Sequence, residues 1–231
     1  MLKALFACVT LAALAAAPAQ AIGKRKDAAA QAVAPADPAA LGVYAPVNFD
    51  LTQDRENILL LDLSNGQRVA IRLMPQWAPE HVARVKTLAA QGFYNNVVFH
   101  RVIDGFMAQT GDPTGTGQGG SSLPDLKAEF NPQPHLRGTV SMARAAAEDS
   151  ANSQFFIVFY PRFSLDKKYT VFGRVIDNMA AVDAIQRGEP PENPTRIVQA
   201  SLASENKPAP ATAQVPAPAI TPQDLNRPIG Q

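Results

Sequence analysis

Phe99-His100-Arg101-Val102-Ile103-Asp104-Gly105-Phe106-Met107-Ala108-Gln109-Thr110-Gly111-Asp112-Pro113 is the most informative stretch of this 231-residue chain. It reads as two short strand-like runs, 97–102 and 106–110. Arg101 lies in the first run and Gln109 in the second, close to apolar residues that read as exposed. Pattern alone leaves Arg101 with two readings. It is a functional cation, or it is a surface arginine whose stem lies along apolar surface while its head stays in water.

Residues 58–73 read as a hairpin. Leu59, Leu61 and Leu63 recur with period two, and so do Val69, Ile71 and Leu73. A two-residue turn at Asn65-Gly66 would pair Leu63 with Arg68 and mix the faces. A three-residue turn with Gly66 left-handed pairs Leu61 with Val69 and keeps the apolar face continuous. Residues 79–91 read as a helix, with Pro79 in the first turn and Glu80 at the positive end of the dipole. Val82, Val85 and Ala89 share one stripe, Leu88 lies beside it, and Gly92 can close the helix. Further short strands are predicted at 139–143, 154–159, 170–176 and 195–203, and a second helix near 178–187. Many short strands with only two helices argue for an antiparallel β-barrel or sandwich rather than a parallel sheet.

Three other runs join the first. They are Gly111-Asp112-Pro113-Thr114-Gly115-Thr116-Gly117-Gln118-Gly119-Gly120, then Gly138-Thr139-Val140-Ser141-Met142-Ala143-Arg144-Ala145, then Ser150-Ala151-Asn152-Ser153-Gln154-Phe155-Phe156-Ile157. Leu165-Asp166 and Tyr169-Thr170-Val171-Phe172-Gly173 lie beyond. In this order they resemble the motifs of the cyclophilin-type peptidyl-prolyl cis/trans isomerases, over about residues 56 to 200. The resemblance implies a mainly β fold, an eight-stranded antiparallel barrel capped by two α-helices. It implies that Arg101 is the catalytic arginine and Gln109 the glutamine that orients it. Phe106, Met107, Phe156 and Leu165 match the pocket for the proline ring, and Tyr169 its rim. Ala143, Arg144 and Gln154 match the edge that holds the peptide. The implied activity is rotation about X–Pro bonds, with no cofactor and no metal.

Two positions depart from the pattern of many eukaryotic members. Ser164 stands where tryptophan is frequent, and Tyr169 where histidine is frequent. Tyr169, and Arg144 in place of asparagine, resemble the bacterial periplasmic branch. Loss of the indole donor at Ser164 implies weak affinity for cyclosporin. A different class of function also fits the groove: a proline-peptide-binding chaperone module without much catalysis.

The ends of the chain read differently. Met1-Leu2-Lys3 is a short basic start, Ala4 to Ala17 are apolar apart from Thr10, and Ala19-Gln20-Ala21 has the small-x-small pattern of a signal-peptidase site. Residues 1–21 are therefore predicted to be a signal peptide, too short to span a bilayer comfortably. Export to the periplasm follows. Cleavage would remove Cys8, the only cysteine, and Lys3, leaving 20 basic against 20 acidic residues. Such a balance gives no electrostatic reason to bind nucleic acid or anionic lipid. Residues 22–46 and 205–231 are rich in Ala and Pro without apolar periodicity, and read as disordered linker and tail. Residues 47–204 form the expected domain. The partners are proline-containing polypeptides, no membrane insertion is expected after cleavage, and the family resemblance implies a monomer.

Other signals carry less. Gly115-x-Gly117-x-x-Gly120 fits a dinucleotide fingerprint in letters but is followed by Ser-Ser-Leu-Pro-Asp rather than a helix. His81, His100 and His135 show no ligand spacing, and each reads as structural. Trp77 reads as packing and Glu148-Asp149 as a solvated loop. Strand alternation gives Phe155 to the core and Phe156 to the pocket. No Gly-x-Ser-x-Gly elbow is present, and no Ser/His/Asp set stands out in the sequence.

Overall fold

The computed structural model describes residues 46–211. The predicted signal peptide, nearly all of the predicted linker and the tail beyond residue 211 lie outside the described residues. The 58–73 hairpin forms as β1 (Ile58–Leu63) and β2 (Arg68–Leu73). Leu61 faces Val69 and Leu59 faces Ile71. Gly66 takes φ 84°, a left-handed conformation costly for residues with a Cβ, and the turn closes by Leu63 N donating to the Gln67 carbonyl.

Helix α1 spans Pro79–Ala90 and buries Val82, Val85, Leu88 and Ala89. Its N-terminal amides at Glu80 and His81 donate to the carboxylate of Glu129, which caps the helix from a distant loop. The remaining strands are β3 (Arg101–Ile103), β4 (Met107–Thr110), β5 (Thr139–Met142), β6 (Phe155–Val158), β7 (Val171–Asp177) and β8 (Ile197–Leu202). They form one eight-stranded sheet in the order β3-β4-β6-β5-β7-β2-β1-β8, and every pairing is antiparallel. The sheet curls into a half-barrel, and its edges approach through an isolated bridge between Val98 and Arg196. Inside lie Leu59, Leu61, Ile71, Phe99, Val140, Phe155 and Phe172, all fully buried. Each such Leu, Ile or Phe contributes about 1.5–3 kcal/mol on burial.

Three boundaries differ from expectation by more than two residues. The first run, predicted at 97–102, yields a ladder only over Arg101–Ile103, because residues 97 and 99 bond to residues 197 and 195 at the seam. Helix α2 covers Met179–Asp183 and not 178–187, because Ile185 turns into the core and Gly188 returns to pair with Val102. The predicted tail does not start at 205. Ala203–Glu205 form a 3-10 turn, and the carbonyls of Lys207 and Pro208 accept from Arg68 and Gln199.

Candidate active site

Strand register decides which residues share the outer face. Arg101 faces Gln109, Gln109 faces Phe156, and Phe156 faces Ser141. One step along, Ile103 faces Met107 and Met107 faces Val158. Residues opposed across a sheet point to the same side, so these form two rows across β3-β4-β6-β5. The alternate residues Val102, Ala108, Ile157, Val140 and Phe155 enter the main core. Met107, Phe156 and Val158 instead make a separate apolar cluster, packed against by Phe106, Ala143, Leu165 and Tyr169. The division expected of Phe155 and Phe156 is the one observed.

Over this cluster lies a recess of about 130 Å³. Arg101 and Gln109 line it together with Phe106, Met107, Phe156 and Leu165, and with Ala143, Arg144 and Tyr169. The tenth predicted site residue, Gln154, lines a larger neighbouring groove of about 490 Å³, which shares Gln109, Ala143 and Arg144 with the recess. The two cavities are therefore one continuous surface. Tyr169 stands edge-on to Phe156, with ring centroids 5.8 Å apart. The Arg144 guanidinium lies 4.8 Å from the Tyr169 ring centre and donates to the Lys168 carbonyl. It thereby ties the loop after β5 to the recess rim.

The polar wiring differs from expectation at Gln109. Its amide donates to Gln154 Oε1 at 2.9 Å rather than holding Arg101. Gln154 in turn donates to the carbonyls of Gly117 and Gly119 at 3.1 and 2.7 Å. That loop is folded by Asp112, whose buried carboxylate accepts from the backbone amides of Thr114, Gly117 and Gly119 at 2.7, 2.7 and 3.1 Å. Burial works against ionisation of Asp112, but the hydrogen bonds from Thr114, Gly119 and Gly117 outweigh it and hold the carboxyl at about 2. The glycine run therefore spends its amides on its own aspartate, and its chemical effect is to fix Gln154 and, through it, Gln109.

Arg101 is held by a residue that the sequence did not single out. Its Nε donates to Glu189 Oε2 at 2.7 Å, and the two side chains are 43% and 50% exposed. A Ser/His/Asp set also appears. His135 lies 2.8 Å from Asp166 Oδ1 and 3.2 Å from Ser141 Oγ. It was not legible because the three residues come from separate segments. Ser141 is fully buried and its hydroxyl donates to the Thr170 carbonyl, so the set offers no accessible nucleophile. Burial pushes His135 below the ordinary histidine value despite Asp166. The neutral ring stacks against Phe156 at 6.2 Å and supports the recess from behind.

Known proteins bear on this site. The profile described as "Cyclophilin type peptidyl-prolyl cis-trans isomerase/CLD" matches residues 59–202. A "Probable peptidyl-prolyl cis-trans isomerase" of Brucella suis is 46% identical over 170 residues, covering 67% of this chain and 86% of its own length. "Peptidyl-prolyl cis-trans isomerase B" of Bacillus subtilis is 41% identical over 128 residues, covering 55% of this chain and 89% of its own. Among solved structures, a cyclophilin from Hirschia baltica superposes with a TM-score of 0.61 at 28% identity, over 67% of this chain and 77% of that one. A Cryptosporidium parvum cyclophilin, solved in the presence of the dipeptide Ala-Pro, gives a TM-score of 0.58 at 29% identity, over 63% of this chain and 98% of that one. With the profile reaching all eight strands, from the second residue of β1 to the end of β8, and the site lying on the outer face of the sheet, the chain belongs to the cyclophilin-type peptidyl-prolyl cis-trans isomerases.

Proposed function

We propose that Arg101 catalyses cis/trans rotation about X–Pro bonds of polypeptides seated in the recess, and that the clients are exported proteins. The observation that carries this reading is a part-exposed guanidinium on the wall of an apolar recess built from Phe106, Met107, Phe156 and Leu165. Rotation must overcome roughly 18–20 kcal/mol, the cost of losing amide resonance. No covalent bond to the substrate forms or breaks. In the twisted state the prolyl nitrogen regains its lone pair, so a donor fixed beside that nitrogen is favoured more in the transition state than in either planar state. Each ~1.36 kcal/mol of such preference is about tenfold in rate. The apolar walls hold the ring while the acyl side turns, and the groove bounded by Gln154, Ala143 and Arg144 holds the residues before the proline. An arginine suits the donor role because it stays charged and its fork is rigid. The relative solved in the presence of Ala-Pro supports a proline-containing ligand for this chain.

The periplasmic setting rests on the signal-like pattern of residues 1–21, and the protein acts there as a monomer. N-terminal sequencing of the exported product should start at residue 22; an intact Met1 in a cytoplasmic fraction contradicts export. For the activity, the mature chain should accelerate isomerisation of a short Ala-Pro peptide. Arg101→Ala should lower that acceleration on the order of a hundredfold, the usual effect of removing one transition-state donor. A wild-type chain that binds the peptide without accelerating it would leave only a binding module.

A further inference from the structure

We propose that Glu189 is a positioning residue for Arg101, a role that rests on Arg101 being the catalytic donor. The loop after α2 returns to the sheet edge, where Gly188 and Val102 exchange both backbone hydrogen bonds, at 2.8 and 2.9 Å. In an antiparallel pair, locking 188 against 102 places 189 beside 101 on the same face. Gly188 takes φ 145°, and a Cβ there would lie 2.4 Å from the Pro191 Cα, so the position fits glycine. The approach of Glu189 is thus set by backbone and not by chance side-chain contact.

Arg101 therefore has a neighbour on each side, Gln109 on β4 and Glu189 on the returning loop. Gln109 gives its amide N–H to Gln154. Among the described residues, Glu189 alone hydrogen-bonds the Arg101 side chain, and it takes the Nε edge. Among the described residues nothing claims the two Nη groups, and the side chain lines the recess. A long side chain that must meet a small moving atom gains from being fixed beforehand, because ordering is not then charged to the transition state. An exposed ion pair adds little to stability, so removing it should disturb catalysis without disturbing the fold.

The test compares Glu189→Ala, Glu189→Gln, Arg101→Ala and the double variant Arg101→Ala/Glu189→Ala in isomerisation of an Ala-Pro peptide. Glu189→Ala should lower kcat about five- to tenfold, with KM within about twofold. Glu189→Gln, whose amide oxygen still accepts from Nε, should keep at least about half of the activity. In the Arg101→Ala background, removing Glu189 should change nothing further. The Arg101 Nε–H proton should exchange slowly with solvent in the wild type and fast in Glu189→Ala, a readout independent of turnover. Wild-type activity or a gain in Glu189→Ala, or equal losses in Glu189→Ala and Glu189→Gln, would overturn the positioning role even if Arg101→Ala is inactive. An active Arg101→Ala would instead overturn the reading on which it rests.

Discussion

Arg72 and Arg101 are both strand arginines of the one sheet, the first on β2 inside it and the second on β3 at its edge. Each is an outward residue on a strand whose alternate positions enter the core. Arg72 on β2 is 2% exposed. Its Nε donates to the Asn48 carbonyl, Nη1 to Gln53 and Asp54, and Nη2 to Asp50, at 2.6–3.1 Å. Burial lowers its pKa, against the pull of Asp54 and Asp50. Residues 48–54 are in effect wound around it. Arg101 is 43% exposed, with one edge held by Glu189 and the other facing the recess. The residue type and the outward position are the same, and the difference lies in how many donors are already spoken for. A guanidinium saturated by carbonyls is part of the fold, whereas one with free donors beside an apolar hollow is available for chemistry.

The largest effect expected is on stability at the first site. Arg72→Ala strands four backbone carbonyls and should cost about 3–5 kcal/mol in denaturant unfolding, while the molecules that remain folded keep normal isomerase activity. Arg101→Ala should do the reverse, losing about 2.7 kcal/mol of transition-state stabilisation with a midpoint unchanged. If the two variants lose stability and activity together, the comparison fails.

Next comes the loop that fixes Gln154 in the groove beside the recess. The folded value of about 2 for Asp112 lies below the ordinary 3.8. Its stabilisation, about 2 kcal/mol, is therefore complete above pH ~4 and lost as pH falls from about 4 to about 2. Asp112→Asn should be less stable at pH 7 by that order, and the gap to wild type should close across this window in acid unfolding curves. A constant gap would mean that the carboxylate charge does not organise the loop.

The smallest effects belong to the rim. Tyr169→Ala removes an edge-on contact with Phe156 and the face under Arg144. Aromatic pairs of this kind are worth about 0.5–1.5 kcal/mol, so KM for an Ala-Pro peptide should rise about two- to tenfold with kcat little changed. Ser164 supplies no indole, and calorimetry should find cyclosporin binding weak; nanomolar affinity would show that the rim does not set it.

Much of this was legible in the sequence because it is local or periodic. Period two and one left-handed glycine gave the β1–β2 register, and the spacing of Val82, Val85 and Ala89 gave the buried face of α1. The stretch 99–113 carries both rows of the recess face on β3 and β4, and nine of the ten predicted site residues line one hollow. What was not legible is long-range. Glu189 reaches Arg101 from 88 residues away, through a backbone pairing that no local pattern announces. The burial of Arg72 was not legible either, since it depends on where residues 48–54 travel. The bond from Gln109 to Gln154 depends on a loop folded by Asp112, and the buried Ser141–His135–Asp166 set needs three segments to converge.

On the proposed mechanism, the free edge of Arg101 acts on the twisted prolyl bond and not on ground-state binding. Two-dimensional NMR exchange on an Ala-Pro peptide measures both in one sample, as cis–trans cross-peaks and as ligand shift changes. Arg101→Ala should keep the peptide shifts, with an affinity within a few-fold of wild type, and lose the exchange cross-peaks. Cross-peaks of wild-type intensity in Arg101→Ala, or loss of binding and exchange in equal measure, would contradict that mechanism.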